Sequence, residues 1–265
     1  MELRDAAGTL HCPAQGTARI VCLVPSITEL ICDLGLASQL VGRTGFCIHP
    51  SEVVRGIPKV GGTKTVDLER IRALRPTHVI LNIDENEKPT ARALAEFVPS
   101  LIVTHPQAPL DNLDLYRLVG GIFGRAPEAE ALCSRYLDAH DDLAGDTPEK
   151  RKALYLIWKD PWMTVARDTY LSRTLALAGL ETLPADASAR YPEVSLSEPW
   201  VHEVEVVLLS SEPYMFREKH VAEIAALPAF KGKTVRLVDG EMTSWYGSRA
   251  IAGLAYLREF RRSVA

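Results

Sequence analysis

The chain has 265 residues, 47% of them hydrophobic and 24% charged, with 30 Lys and Arg against 34 Asp and Glu. This composition excludes a disordered, collagenous or disulfide-scaffold protein, and at roughly 150 residues per domain the chain holds one large domain or two small lobes. A net charge of −4, with no basic block beyond Arg258, Arg261 and Arg262, argues against a nucleic-acid partner, which needs a basic stripe to neutralise phosphates.

No apolar run reaches the about 18 residues of a membrane span, so no span is expected. The first eight residues carry Glu2, Arg4 and Asp5, where a secretory signal needs a basic start and a long apolar stretch. Five scattered cysteines (Cys12, Cys22, Cys32, Cys47 and Cys133) fit a reducing compartment better than a disulfide framework. The expected location is therefore the cytoplasm, the alternative being a periplasmic or lipid-anchored chain whose leader has been cleaved.

In chain order, residues 19–24 read as a strand and 27–34 as a helix, 41–45 as a strand, 68–74 as a helix feeding a strand at 79–81, and 91–97 as a helix feeding a strand at 101–103. Strand alternating with helix predicts a parallel sheet covered on both faces. From 112 to 143 apolar residues recur at helical spacing, with Gly124 and Pro127 dividing a short helix from a longer one. Alternation resumes with 153–158, 171–178, 204–209, 221–226 and 235–238, and a last helix covers 249–260. The predicted organisation is an α/β lobe over 1–111, a linking helix over 112–143 and a second α/β lobe over 144–265.

A weak internal repeat supports two lobes. Val66-Asp67-Leu68-Glu69 before the 79–81 strand parallels Val194-Ser195-Leu196-Ser197-Glu198 before the 204–209 strand, and each strand runs into an acidic loop, Asp84-Glu85-Asn86 or Ser211-Glu212-Pro213. Loops at the carboxyl ends of parallel strands converge on one crevice, so a cleft between the lobes is the expected ligand site.

The string Arg19-Ile20-Val21-Cys22-Leu23-Val24-Pro25-Ser26-Ile27-Thr28-Glu29-Leu30, followed by Leu34-Gly35-Leu36, Pro58-Lys59-Val60-Gly61-Gly62 and Leu74-Arg75-Pro76-Thr77-His78-Val79-Ile80, resembles the cobalamin- and iron-siderophore-binding proteins of ABC importers. The resemblance covers nearly the whole chain. It implies two Rossmann-like lobes with parallel central sheets, joined by a long rigid backbone helix, with the ligand held between them. Phe46-Cys47-Ile48-His49-Pro50 and Ser244-Trp245-Tyr246-Gly247-Ser248-Arg249 resemble the helical-backbone metal receptors, a subgroup with signal-less members. The implied ligand is a metal-bearing chelate, a corrinoid first and a ferric siderophore or haem second, without a covalent cofactor and with the protein a monomer. In that family each lobe offers an acidic residue to a membrane permease. Glu69 matches the first position, whereas in the second lobe Ser197 falls there and Glu198 is displaced by one, so permease docking is not expected.

Several residue types point to binding. In an extended segment, side chains at i and i+2 project to one side, so Cys47 and His49 can share a metal ion, bare or the centre of a chelate. The alternative is a Cys packed beneath the loop and a His hydrogen-bonded at the rim. Trp158, Trp162, Tyr191, Tyr214, Phe216, Trp245 and Tyr246 gather on loops of the second half, where broad apolar faces with polar tips suit a large flat ligand. Trp158, at a strand end, is expected in the core, and Trp162, Tyr214, Trp245 and Tyr246 in the cleft with Phe46. Glu85, Asn86, Glu212, Asp239, Glu241 and Arg249 follow strands and would orient the ligand. Gly61-Gly62 reads as a turn and not a phosphate loop. No Gly-x-Ser-x-Gly or His-Glu-x-x-His pattern supports catalysis; the competing reading is a metal-dependent enzyme using Cys47, His49 and a carboxylate such as Glu85 or Glu212.

Overall fold

The structure, a computed structural model, describes residues 2–145, 149–186 and 188–264. The chain divides into two compact units. The first contains residues up to Pro106 together with Leu110–Arg135 and Tyr246–Ser248; the second contains Gln107–Pro109, Tyr136–Trp245 and the chain from Arg249 on.

The first unit is built from β1 (Ile20–Cys22), α1 (Pro25–Asp33), β2 (Leu40–Arg43), α2 (Ser51–Val54), α3 (Leu68–Leu74), β3 (His78–Asn82), α4 (Lys88–Ala95), β4 (Ser100–Thr104) and α5 (Asp111–Ile122). Its strands form one parallel sheet in the order β2-β1-β3-β4. β1 and most of β3 are apolar on both faces, as a parallel sheet between helices requires. Val21, Leu23, Ile71, Val79, Leu81 and Leu94 form a core beneath it. α1 starts on Pro25, which has no N–H to leave unpaired, and ends on Gly35 at φ +73°. The Gly35 N–H donates to Cys32 and the Leu36 N–H to Ile31, a double closure that needs the left-handed residue.

α6 (Ala126–Ala144) begins in the first unit and ends in the second, the division falling between Arg135 and Tyr136. The second unit continues with β5 (Arg151–Leu156), α7 (Tyr170–Leu177), β6 (Leu180–Thr182), β7 (Val206–Ser210), α8 (Glu218–Ala225), β8 (Thr234–Val238), α9 (Gly240–Ser244) and α10 (Arg249–Ser263). Its parallel sheet has the order β6-β5-β7-β8, the first unit's order again. Leu154, Leu156, Val207, Leu209, Ile224 and Phe230 fill its core.

The two-lobe α/β class is as expected, and the weak repeat is real at the level of topology, with β3 and β7 occupying equivalent central positions. The linking segment 112–143 is two helices broken at Gly124 (φ +66°), the division expected there, and α5 groups with the first unit. β6 was not anticipated: three residues after a helix-ending Gly179 are too few for alternation to show.

An unanticipated polar tie holds the chain start. The Asp5 carboxylate, buried, accepts the N–H groups of Ala7 (3.0 Å), Thr9 (2.9 Å) and Val103 (3.0 Å) and lies 3.0 Å from His11 Nε2. Because Val103 is in β4, this one side chain fastens the first ten residues to the sheet edge. Asp5→Ala strands those donors and should lower the unfolding free energy by about 3 kcal/mol, read from urea denaturation; an unchanged midpoint would exclude the tie.

Candidate functional site

In both units the strand-end loops carry the predicted residues, and each loop has its own fastening. After β2, the buried Arg43 guanidinium donates to the carbonyls of Thr44 (3.0 Å) and Val54 (3.1 Å), closing the loop between them. A turn at Gly45 and Phe46, with the Cys47 N–H donating to Thr44, then points Phe46 out, 62% exposed, and Cys47 inward. The Cys47 sulfur is fully buried, 3.1 Å from both the Thr28 and Thr44 hydroxyls. Burial pushes its thiol up, the hydroxyl contacts only partly opposing this, which disfavours the free thiolate. His49 is half-buried, and among the described residues no group of three or more His, Cys, Asp or Glu is placed to hold a metal ion. Gly61-Gly62 is a turn, closed by the Gly62 N–H on Thr65.

After β3, the Asn86 side chain is engaged by its own backbone surroundings. Its amide donates to Thr63 (2.9 Å) and Leu23 (3.4 Å), and its oxygen accepts the Asn82 N–H at 2.8 Å. It thereby presents Glu85, whose carboxylate accepts the hydroxyl of Tyr246. Tyr246, expected as lining, is 8% exposed and packs within the first unit. Gly247 beside it sits at φ +84°, where a Cβ would stand 3.0 Å from the Ser26 carbonyl.

In the second unit the loops after β5 and β7 bring the aromatics together. Trp158 meets Tyr214 edge-on at 5.7 Å, Tyr214 meets Phe216 at 4.7 Å, and Phe216 stacks on Trp162 at 6.3 Å. Lys159 sits 5.5 Å above the Trp162 ring and pairs with Glu223. Trp158 is not a core residue but 39% exposed, because the chain turns back at once, Met163 N–H to Trp158 carbonyl, and leaves the ring at the rim. Tyr191 is also exposed. Sequence reasoning missed Met215, 61% exposed beside this cluster; its place between Tyr214 and Phe216 was the available signal.

Glu212, after β7, is half-buried, and its Oε1 accepts both Trp245 Nε1 (2.7 Å) and Ser244 Oγ (3.3 Å). Burial raises its carboxyl above the ordinary value, the Trp245 bond opposing and Glu241 adding to the rise. Glu241 pairs with Arg249 at 3.4 Å, and that guanidinium lies over the Trp245 ring at 5.1 Å. Asp239 caps α9 through the Met242 N–H. The expected docking residues differ in state. Glu69, in the first turn of α3, has an 85% exposed side chain, whereas Glu198 accepts the Ser195 N–H and Trp200 Nε1, which hold its carboxyl below the ordinary range.

A family model described as periplasmic binding protein matches residues 20–236. The chain belongs to the periplasmic binding protein family. Among curated relatives, the vitamin B12-binding protein of Yersinia pestis (strain Pestoides F) is 26% identical over 204 residues, 76% of this chain and 72% of that protein. Among solved structures, the periplasmic vitamin B12 binding protein BtuF of Vibrio cholerae aligns with a TM-score of 0.79 at 18% identity, covering 94% of this chain and 98% of that one. The periplasmic heme-binding protein RhuT from Roseiflexus sp. RS-1 aligns with a TM-score of 0.76 at 24% identity, covering 94% and 99%. These likenesses establish the fold, and membership is of a binding-protein family and not of an enzyme family. The family is periplasmic by description, so the expected cytoplasmic location draws no support from it and the alternative fits. No helix of the described residues is long and apolar enough to cross a membrane.

Two outcomes test this geometry. Between the ordinary carboxyl value and the raised one of Glu212, the folded chain binds more protons than the unfolded chain, so stability declines as pH rises through that window. Glu212→Gln should therefore raise the melting temperature at about pH 7.5 and lose that advantage below about pH 4.5. For Cys47, zinc binding measured on Cys47→Ser and on the unsubstituted protein should be the same; loss of zinc in the variant would restore Cys47 as a ligand.

Proposed function

We propose that this chain is a small-molecule binding protein for a metal-bearing chelate, a corrinoid first and a ferric siderophore or haem second. The observation that carries the reading is the aromatic cluster of Trp158, Tyr214 and Trp162 at the carboxyl ends of β5 and β7, with Met215 beside it. Flat macrocycles bind through broad apolar faces, and strand-end loops are where an open parallel sheet receives its ligand. Phe46 and Ile48, both exposed at the end of β2, are the corresponding apolar groups of the first unit. The named ligands of similar proteins, vitamin B12 and haem, support the same class.

Cys47 and His49 enter this reading as supports of the Phe46 loop and not as metal ligands; the metal arrives inside its chelate. The protein acts outside the cytoplasm, as its family's description implies, and as a monomer. It does not present the paired carboxylates of a permease-docking protein, since Glu69 is outward but Glu198 is engaged by its own loop.

Titration with cyanocobalamin and with haemin, following tryptophan emission, should give saturable quenching by at least one of them, with Kd in the micromolar range or below. Emission unchanged by both would overturn the reading.

A further inference from the structure

Glu212 is a half-buried carboxylate with an unusual set of partners. Both of its hydrogen bonds come from neutral donors, Trp245 Nε1 and Ser244 Oγ, and both land on Oε1. Among the described residues no Lys, Arg or His forms an ion pair with it; the nearby Arg249 pairs with Glu241 instead. A carboxylate partly withdrawn from water without a cation carries a cost that its neutral donors only partly offset.

The surroundings are constructed around that carboxylate. Gly240 makes room for it: a Cβ there would stand 2.5 Å from Glu212 Cγ and 2.6 Å from Ser210 Oγ. Ser210 Oγ donates to the Glu212 carbonyl at 2.6 Å, and the Gly240 N–H donates to Ser211 Oγ at 2.8 Å. Trp245 is itself held on both sides in the chain, by the Thr243 hydroxyl bonded to buried Tyr155 (2.7 Å) and by the Gly247 N–H on Asn112 (2.7 Å). The arrangement recurs in the other unit, where the next residue, Tyr246, donates to Glu85 on the loop after the topologically equivalent β3. Adjacent residues thus each hold one carboxylate, on equivalent loops.

We propose that Glu212 is a specificity-determining residue and Trp245 its positioning residue: Trp245 and Ser244 fix Oε1 so that Oε2 accepts an N–H donor on the rim of the ligand. The assignment rests on the functional reading above and sharpens it. A corrin carries primary amides around its rim, each an N–H donor that such an oxygen can take. Haem carries propionates, which a fixed carboxylate repels. The site therefore takes an amide-rimmed chelate in preference to a carboxylate-bearing one.

The test is the ratio of two affinities. The unsubstituted protein should bind cyanocobalamin more tightly than haemin. In Glu212→Gln the amide oxygen still accepts from Trp245, but an NH2 replaces Oε2, so cyanocobalamin affinity should fall roughly tenfold or more while haemin affinity holds or rises. Trp245→Phe, which removes the N–H that orients Oε1, should move the ratio in the same direction by less. General damage to the site would lower both affinities together, and that result, an unchanged ratio, or a haemin preference in the unsubstituted protein overturns the assignment. If the unsubstituted protein takes neither probe, the functional reading itself fails and the assignment with it; a bound probe with an unmoved ratio removes the assignment alone.

Discussion

A parallel strand buried on both faces can offer chemistry at its carboxyl end and almost nowhere else. β1 and β3 in one sheet, β5 and β7 in the other, are flanked by neighbours and covered by helices, so their side chains are committed to packing. What the protein presents to a ligand must hang from the residues that follow them. The use of one strand order twice means that this constraint acts twice, and it delivers an acidic loop after the third strand in the order of each sheet, with Glu85 on one and Glu212 on the other.

A loop without core packing is held by polar ties, and these ties divide the site residues into those that hold and those that present. Arg43 closes the loop that exposes Phe46, Asn86 closes the loop that presents Glu85, and Ser210 fixes the backbone of Glu212. Each holding group is buried or half-buried and bonds chiefly to backbone carbonyls, so its side chain is used up in position. Asn86 and Glu85 are neighbours of similar polarity, yet the Asn86 side chain is bonded to backbone groups and Glu85 to the Tyr246 hydroxyl. The same division separates Glu69 from Glu198, since a carboxylate that caps its own chain offers less to a partner's cation.

This explains what was legible in the sequence. Strands and helices were readable because burial writes itself as apolar periodicity, and the repeat was readable because it recurs at the same place relative to a strand. Aromatics on polar loops pointed to Tyr214 and Trp162. The role of each individual residue was less accessible. Trp158 ends an apolar strand and so looks like core, but a reversal of chain direction at Met163 leaves it at the rim; Tyr246 lies in a polar loop and so looks exposed, but Gly247 folds it against Glu85. Asp5 carried no signal beyond being acidic: Ala7, Thr9 and His11 lie within six residues of it, but Val103, the partner that ties them to the sheet, is brought in only by the fold.

Cys47 and Glu212 show how the same ambiguity resolves in opposite directions. The spacing of Cys47 and His49 gives a metal pair only if both side chains project to one side; the turn at Gly45 and Phe46 leads the chain so that the Cys47 sulfur lies beneath two hydroxyls while Phe46 swings out. Burial then favours the protonated thiol over the free thiolate that an electrophile would need. Glu212 is half-buried and also shifted toward its neutral form, but it sits on Gly240 with two neutral donors gathered on one oxygen. A thiol gains nothing from being held this way; a carboxylate so held is oriented, and orientation is what lets a single oxygen distinguish a donor from another acceptor.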